Sequence, residues 1–81
     1  MNDSPSDAKE YTSFGSAIDL VNEGGGKLAQ RLKVTTAGTI TIVTGNGQTR
    51  TLTVTDGETI DMQVSKINSV TSVTRVRAYW R

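Results

Sequence analysis

The sequence predicts an all-β protein: a small antiparallel β-sandwich or barrel of about five to six strands, preceded by an extended N-terminal arm. Three observations predict it. Apolar and polar residues alternate with a period of two in several short runs. Turn signals separate those runs at Thr36-Ala37-Gly38, Gly45-Asn46-Gly47 and Asp56-Gly57. Finally, 13 of the 81 residues are threonine, most of them at the outward positions of the runs. A β-branched side chain suits a pleated surface, and its hydroxyl keeps that face wettable.

Taken in order, Met1 to Glu10 is polar and acidic and carries the single proline, Pro5. It buries little apolar surface, so it reads as an extended or mobile arm. Tyr11 and Phe14 follow, and then a short apolar patch of Ala17, Ile18, Leu20 and Val21, interrupted by Asp19. Thr12 to Val21 reads as irregular, with room for one short strand or helical turn. Asn22 to Lys27 contains three consecutive glycines and reads as a flexible hinge. It is not a phosphate-binding loop, because Lys27 is followed by Leu28 rather than Ser or Thr and no helix pattern comes after it. The expected organisation is therefore an acidic arm with its glycine hinge over residues 1–26 and a β body over residues 27–81.

Within the body, Leu28 to Thr35 is the first strand, with Leu32 and Val34 facing opposite to Arg31 and Lys33. Thr39 to Thr55 is the clearest element, a hairpin closed at Gly45-Asn46-Gly47. Thr59 to Ser65 alternates again, with Ile60, Met62 and Val64 inward; Ile67 then falls out of phase, which marks a bulge or a strand end. Asn68 to Ser72 reads as a polar connection. Val73 to Arg81 is the last strand, with Val76, Ala78 and Trp80 on one face and Arg75, Arg77 and Tyr79 on the other. The inward set, completed by Ile40, Ile42, Leu52 and Val54, is barely enough for one core. A chain of this length has a thin stability margin and gains from a disulfide, a metal or a partner subunit. It contains no cysteine and no histidine, so association is the expected remedy.

Net charge is +1, but it is unevenly spread. Residues 1–26 hold five acids and one base, a net of −4; residues 27–81 hold eight bases and three acids, a net of +5. No run approaches the roughly 20 apolar residues of a membrane span, so no membrane partner is expected. The N-terminus lacks the basic and apolar regions of a signal peptide, which points to synthesis in the cytoplasm. Asp56, Glu58 and Asp61 cluster in sequence without a histidine or cysteine beside them, the pattern of a solvated rim rather than of a catalytic pair or metal site. Neither an enzyme nor a cofactor is expected.

The segments Ser16-Ala17-Ile18-Asp19-Leu20, Arg31-Leu32-Lys33-Val34, Thr36-Ala37-Gly38, Gly47, Gly57 and Ala78-Tyr79-Trp80 occur in that order. In this the chain resembles the head-spike base family of small phage and gene-transfer-agent virion proteins, over about three quarters of its length. The resemblance implies a non-enzymatic protein on the capsid exterior, acting as a decoration (cement) protein or as a head-spike base. The implied partners are the major capsid protein, further copies of the chain in a trimer or else a pentamer, and a spike or fibre protein. The candidate capsid or subunit interface then gathers Tyr11, Phe14, Ile18 and Leu20 from the arm with Arg75, Arg77, Tyr79 and Trp80 from the last strand. For Tyr11 and Phe14 the plain alternative is that they cap the chain's own core. The alternative function is single-stranded nucleic-acid binding on a small barrel through Arg75, Arg77 and Tyr79, basic residues around an aromatic that can stack a base. The near-zero net charge weighs against it.

Overall fold

The computed structural model describes residues 7–80. Eight strands and one helical turn follow in order: β1 (Asp7–Tyr11), β2 (Ile18–Asp19), α1 (Leu20–Glu23), β3 (Arg31–Val34), β4 (Gly38–Thr44), β5 (Thr49–Val54), β6 (Thr59–Ile60), β7 (Val64–Thr71) and β8 (Val76–Trp80). They form two four-stranded antiparallel sheets packed as a small sandwich. Sheet A has the order β1-β8-β3-β6, and sheet B the order β2-β7-β4-β5.

This order has a simple origin. β4 pairs with β5, β3 with β6, β2 with β7 and β1 with β8. The chain is thus one long hairpin with its tip at Gly45-Asn46-Gly47, rolled so that alternate rungs fall in opposite sheets. That wind is the jelly roll. The tip hairpin forms as expected between Thr39 and Thr55, with Ile40 opposite Leu52 and Ile42 opposite Arg50.

The core lies between the sheets. Leu32, Val34, Ile40, Ile42, Val64, Val76 and Ala78 are fully buried, and among the described residues no polar or charged side chain is buried with them. Trp80 closes one end, with its indole N–H donating to the Leu20 carbonyl at 2.9 Å.

Several expectations are corrected. Residues 7–26 are not an arm apart from the body: β1 is an edge strand of sheet A, and Leu20 lies in the core. The remainder of the expected arm, residues 1–6, lies outside the described residues, as does Arg81. The triple glycine is not a hinge. Asp19 caps α1 by accepting from the Val21 and Asn22 amides at 3.1 and 3.2 Å, and Gly24 and Gly26 donate back to the Leu20 and Val21 carbonyls. Gly25 and Gly26 take φ of 69° and 97° in that turn, a region open to glycine.

The expected strand over residues 28–35 is paired continuously only at β3, with Ala29 forming a separate bridge to Val64. The strand expected over residues 59–65 stops at Ile60, so Met62 is 40% exposed rather than inward. Asn68 to Ser72 is mostly strand, not connection. The phase change near Ile67 comes from bulges: opposite β4 the register of β7 steps past Ser65 and Asn68, which returns Val64 and Ile67 to the core. The last strand starts at Val76, although Val73 before it is buried.

Gly38 opens β4 where the end of β7 and the connection that follows it crowd it. A β-carbon there would overlap the Thr71 carbonyl oxygen and press on Val73. Because the obstacle is backbone, Gly38→Ala is expected to destabilise the protein by about 3 kcal/mol, read as a lower midpoint in denaturant. An unchanged midpoint would refute the close approach.

Candidate interaction face

The centre of the outer face of sheet A is built by two strands whose apolar halves are spent on the core. In β8, Val76, Ala78 and Trp80 face inward, which leaves Arg77 and Tyr79 outward. In β3, Leu32 and Val34 are buried, which leaves Arg31 and Lys33 outward. The register then sets these side chains beside one another. One row runs Glu10, Arg77, Lys33 and Thr59 across β1, β8, β3 and β6; the next runs Ala8, Tyr79 and Arg31.

Arg31, Lys33 and Arg77 thus neighbour Tyr79, with Arg75 just before β8 in the chain and acids at the margins. Glu10 bridges two of them: Arg77 Nη2 donates to Oε1 at 3.1 Å, and Arg75 Nε lies 3.5 Å from Oε2. Arg31 Nε lies 3.5 Å from Asp61 Oδ1 at the other margin. Tyr79 and then Glu10 hold the Arg77 guanidinium above its ordinary pKa, so it is charged at every accessible pH. Lys33 and Arg77 are direct cross-strand partners of like charge, an arrangement that weakens a sheet. A surface that keeps such a pair is suited to meeting negative charge.

Of the eight residues expected at an interface, Arg75, Arg77 and Tyr79 meet on this face. Leu20 and Trp80 do not serve as contact residues: both belong to the core, 0% and 1% exposed. Tyr11, Phe14 and Ile18 are half-buried and pack against that core, so Tyr11 and Phe14 cap the chain's own interior rather than projecting from a free arm. Arg31 and Lys33 were not among the expected site residues. Their outward phase was visible, but nothing local indicates that β3 lies next to β8.

A second polar cluster fastens β1. Lys9 Nζ meets Glu23 Oε1 at 2.6 Å, the Tyr11 hydroxyl donates to the same oxygen at 3.2 Å, and the Lys9 ammonium sits 5.5 Å from the Tyr11 ring centre. The hydrogen bonds from Lys9 and then Tyr11 hold the Glu23 carboxyl below its ordinary value of 4.5. Burial, and then Glu23, push the Tyr11 hydroxyl well above its ordinary range. For the depressed carboxyl, the contribution to stability is present above pH 4.5 and lost as pH falls through the folded-state value. For the raised phenol, it is present below about pH 10 and lost as pH rises beyond it. Glu23→Gln is therefore expected to flatten the acid side of a plot of melting temperature against pH. A slope below pH 4.5 equal to that of the unaltered protein would refute the clamp.

The carboxylates Asp56, Glu58 and Asp61 are each engaged separately. Asp56 accepts from the Ala37 amide at 2.6 Å, Glu58 from the Thr55 amide at 2.9 Å, and Asp61 pairs with Arg31. No helix among the described residues is long and apolar enough to cross a membrane. Comparison of the chain with protein-family models, with curated proteins and with solved structures finds no match.

Proposed function

We propose that the protein is a non-enzymatic virion component that binds the outer surface of a phage capsid, as a decoration (cement) protein or a head-spike base subunit, through the outer face of sheet A. The observation that carries this reading is the rolled strand order. Jelly rolls recur among viral capsid proteins, and the segments behind the head-spike base resemblance fall on its strands and turns: Arg31 to Val34 is β3, Thr36-Ala37-Gly38 leads into β4, and Ala78-Tyr79-Trp80 ends β8. Because a fold by itself does not fix a function, the chemistry has to come from a surface. Arg31, Lys33 and Arg77 beside Tyr79, with Arg75 just before β8, supply one that fits an acidic patch on the major capsid protein. The seating of a spike or fibre belongs to the same proposal.

A second reading is favoured by the same cluster. A half-exposed tyrosine can stack a base while the arginines beside it neutralise the flanking phosphates of single-stranded nucleic acid. One experiment separates the two. Purified protein is mixed with capsids stripped of it and, separately, with a single-stranded oligonucleotide at low salt. The capsid reading expects saturable co-sedimentation with capsids and no oligonucleotide retardation. Retardation that weakens steeply with salt, without capsid binding, would replace it with the second reading.

A further inference from the structure

We propose that the free edge of β5 is a self-association site, at which two copies of this chain pair antiparallel about a two-fold axis and join their B sheets into one. This does not rest on the capsid reading. The four sheet edges differ in kind. β2 and β6 are two residues long, and β1 carries Asp7, Lys9 and Glu10, the last two of them in ion pairs. Short or charged edges resist pairing. β5 is six residues long, TRTLTV, with one charge, and among the described residues only β4 pairs with it.

The geometry fixes which groups are free. The Thr44 amide donates to the Gln48 carbonyl at 2.7 Å, so the even residues of β5 direct their backbone groups at β4. The odd residues, Thr49, Thr51 and Thr53, direct theirs outward. The Thr55 amide is already taken by Glu58, which ends the free run at Thr53. A second copy completes this edge with Thr51 of each strand opposite Thr53 of the other, closing four backbone hydrogen bonds. Leu52, half-exposed here, then meets Leu52 of the other copy on the axis.

The same register supplies charge complementarity and makes the second copy the occupant. Arg50 has no ion pair among the described residues and shares a strand face with Leu52 and Val54. It falls opposite Val54 of the other copy, and Asp56 in the turn just beyond that strand end lies on the side that a long side chain reaches. The two-fold axis makes this contact twice.

Sedimentation equilibrium of the full chain tests the pairing, with the fold of each variant checked by circular dichroism. The expected mass is twice 8.7 kDa. Thr53→Pro removes an outward N–H but no bond to β4, and is expected to weaken the dimer on the order of a hundredfold while the protein stays folded. Arg50→Asp is expected to weaken it roughly tenfold, with Asp56→Arg added to Arg50→Asp restoring it. A monomer at millimolar concentration, a trimer or pentamer, or a dimer indifferent to both Thr53→Pro and Arg50→Asp would overturn the proposal.

Discussion

Replacing Trp80 with alanine is expected to leave much of the protein unfolded at 37 °C. The side chain is the largest in the core and is 1% exposed. Removing a buried tryptophan costs about 3–5 kcal/mol in transfer and cavity terms. The loss also removes one of the two donors to the Leu20 carbonyl, which keeps the Gly24 amide. The cavity cannot collapse easily, because α1 and its Gly24 cap lie directly against the indole; a β-carbon on Gly24 would overlap it. A domain this small sits near the low end of the usual 5–15 kcal/mol. The melting temperature should fall by roughly 20–30 °C. Trp80→Phe keeps most of the packing and should lose about a third as much. Melting of the two variants side by side checks this; a loss of only a few degrees in Trp80→Ala would mean that the indole does not anchor α1.

Deleting residues 1–14 is expected to lower stability by about 3 kcal/mol, or roughly 15 °C in melting temperature. The deletion removes β1 from its register along β8, from Asp7 opposite Trp80 to Tyr11 opposite Val76. It also removes the half-buried Tyr11 and Phe14 from the core's edge. Burying two aromatic side chains in part contributes about 1–2 kcal/mol each; the exposed ion pairs of Lys9 and Glu10 add little. The ordering entropy regained by the missing strand offsets some of this. An arm independent of the body would be lost without any change in melting temperature, so the measurement decides between the two descriptions. The newly bare β8 edge should also make the truncated protein prone to associate.

What could be read in the sequence follows from how locally each element is determined. The β4–β5 hairpin, β3 and β8 were legible because alternation and turn residues agree within each run. β1 was not, because DAKEY carries no apolar period; its strand form is imposed by β8, some 70 residues away. β7 was hidden by its two bulges, which spread Val64, Ile67 and Val70 at intervals of three rather than two. Met62 keeps the alternating phase in the sequence but lies beyond Ile60, where the pairing of β6 with β3 ends, so nothing holds it inward. The candidate face was half legible. Arg77 and Tyr79 share a phase within one strand, whereas the contribution of Arg31 and Lys33 depends on the rolled topology that sets β3 beside β8.

The most direct measurement of the central claim is co-sedimentation with stripped capsids for the unaltered protein and for the Arg31→Glu/Arg77→Glu double variant, both positions outside the core. Saturable binding by the unaltered protein, lost in the folded double variant, is the predicted result. Equal capsid occupancy by the two proteins would contradict the assignment of the sheet A face as the binding surface.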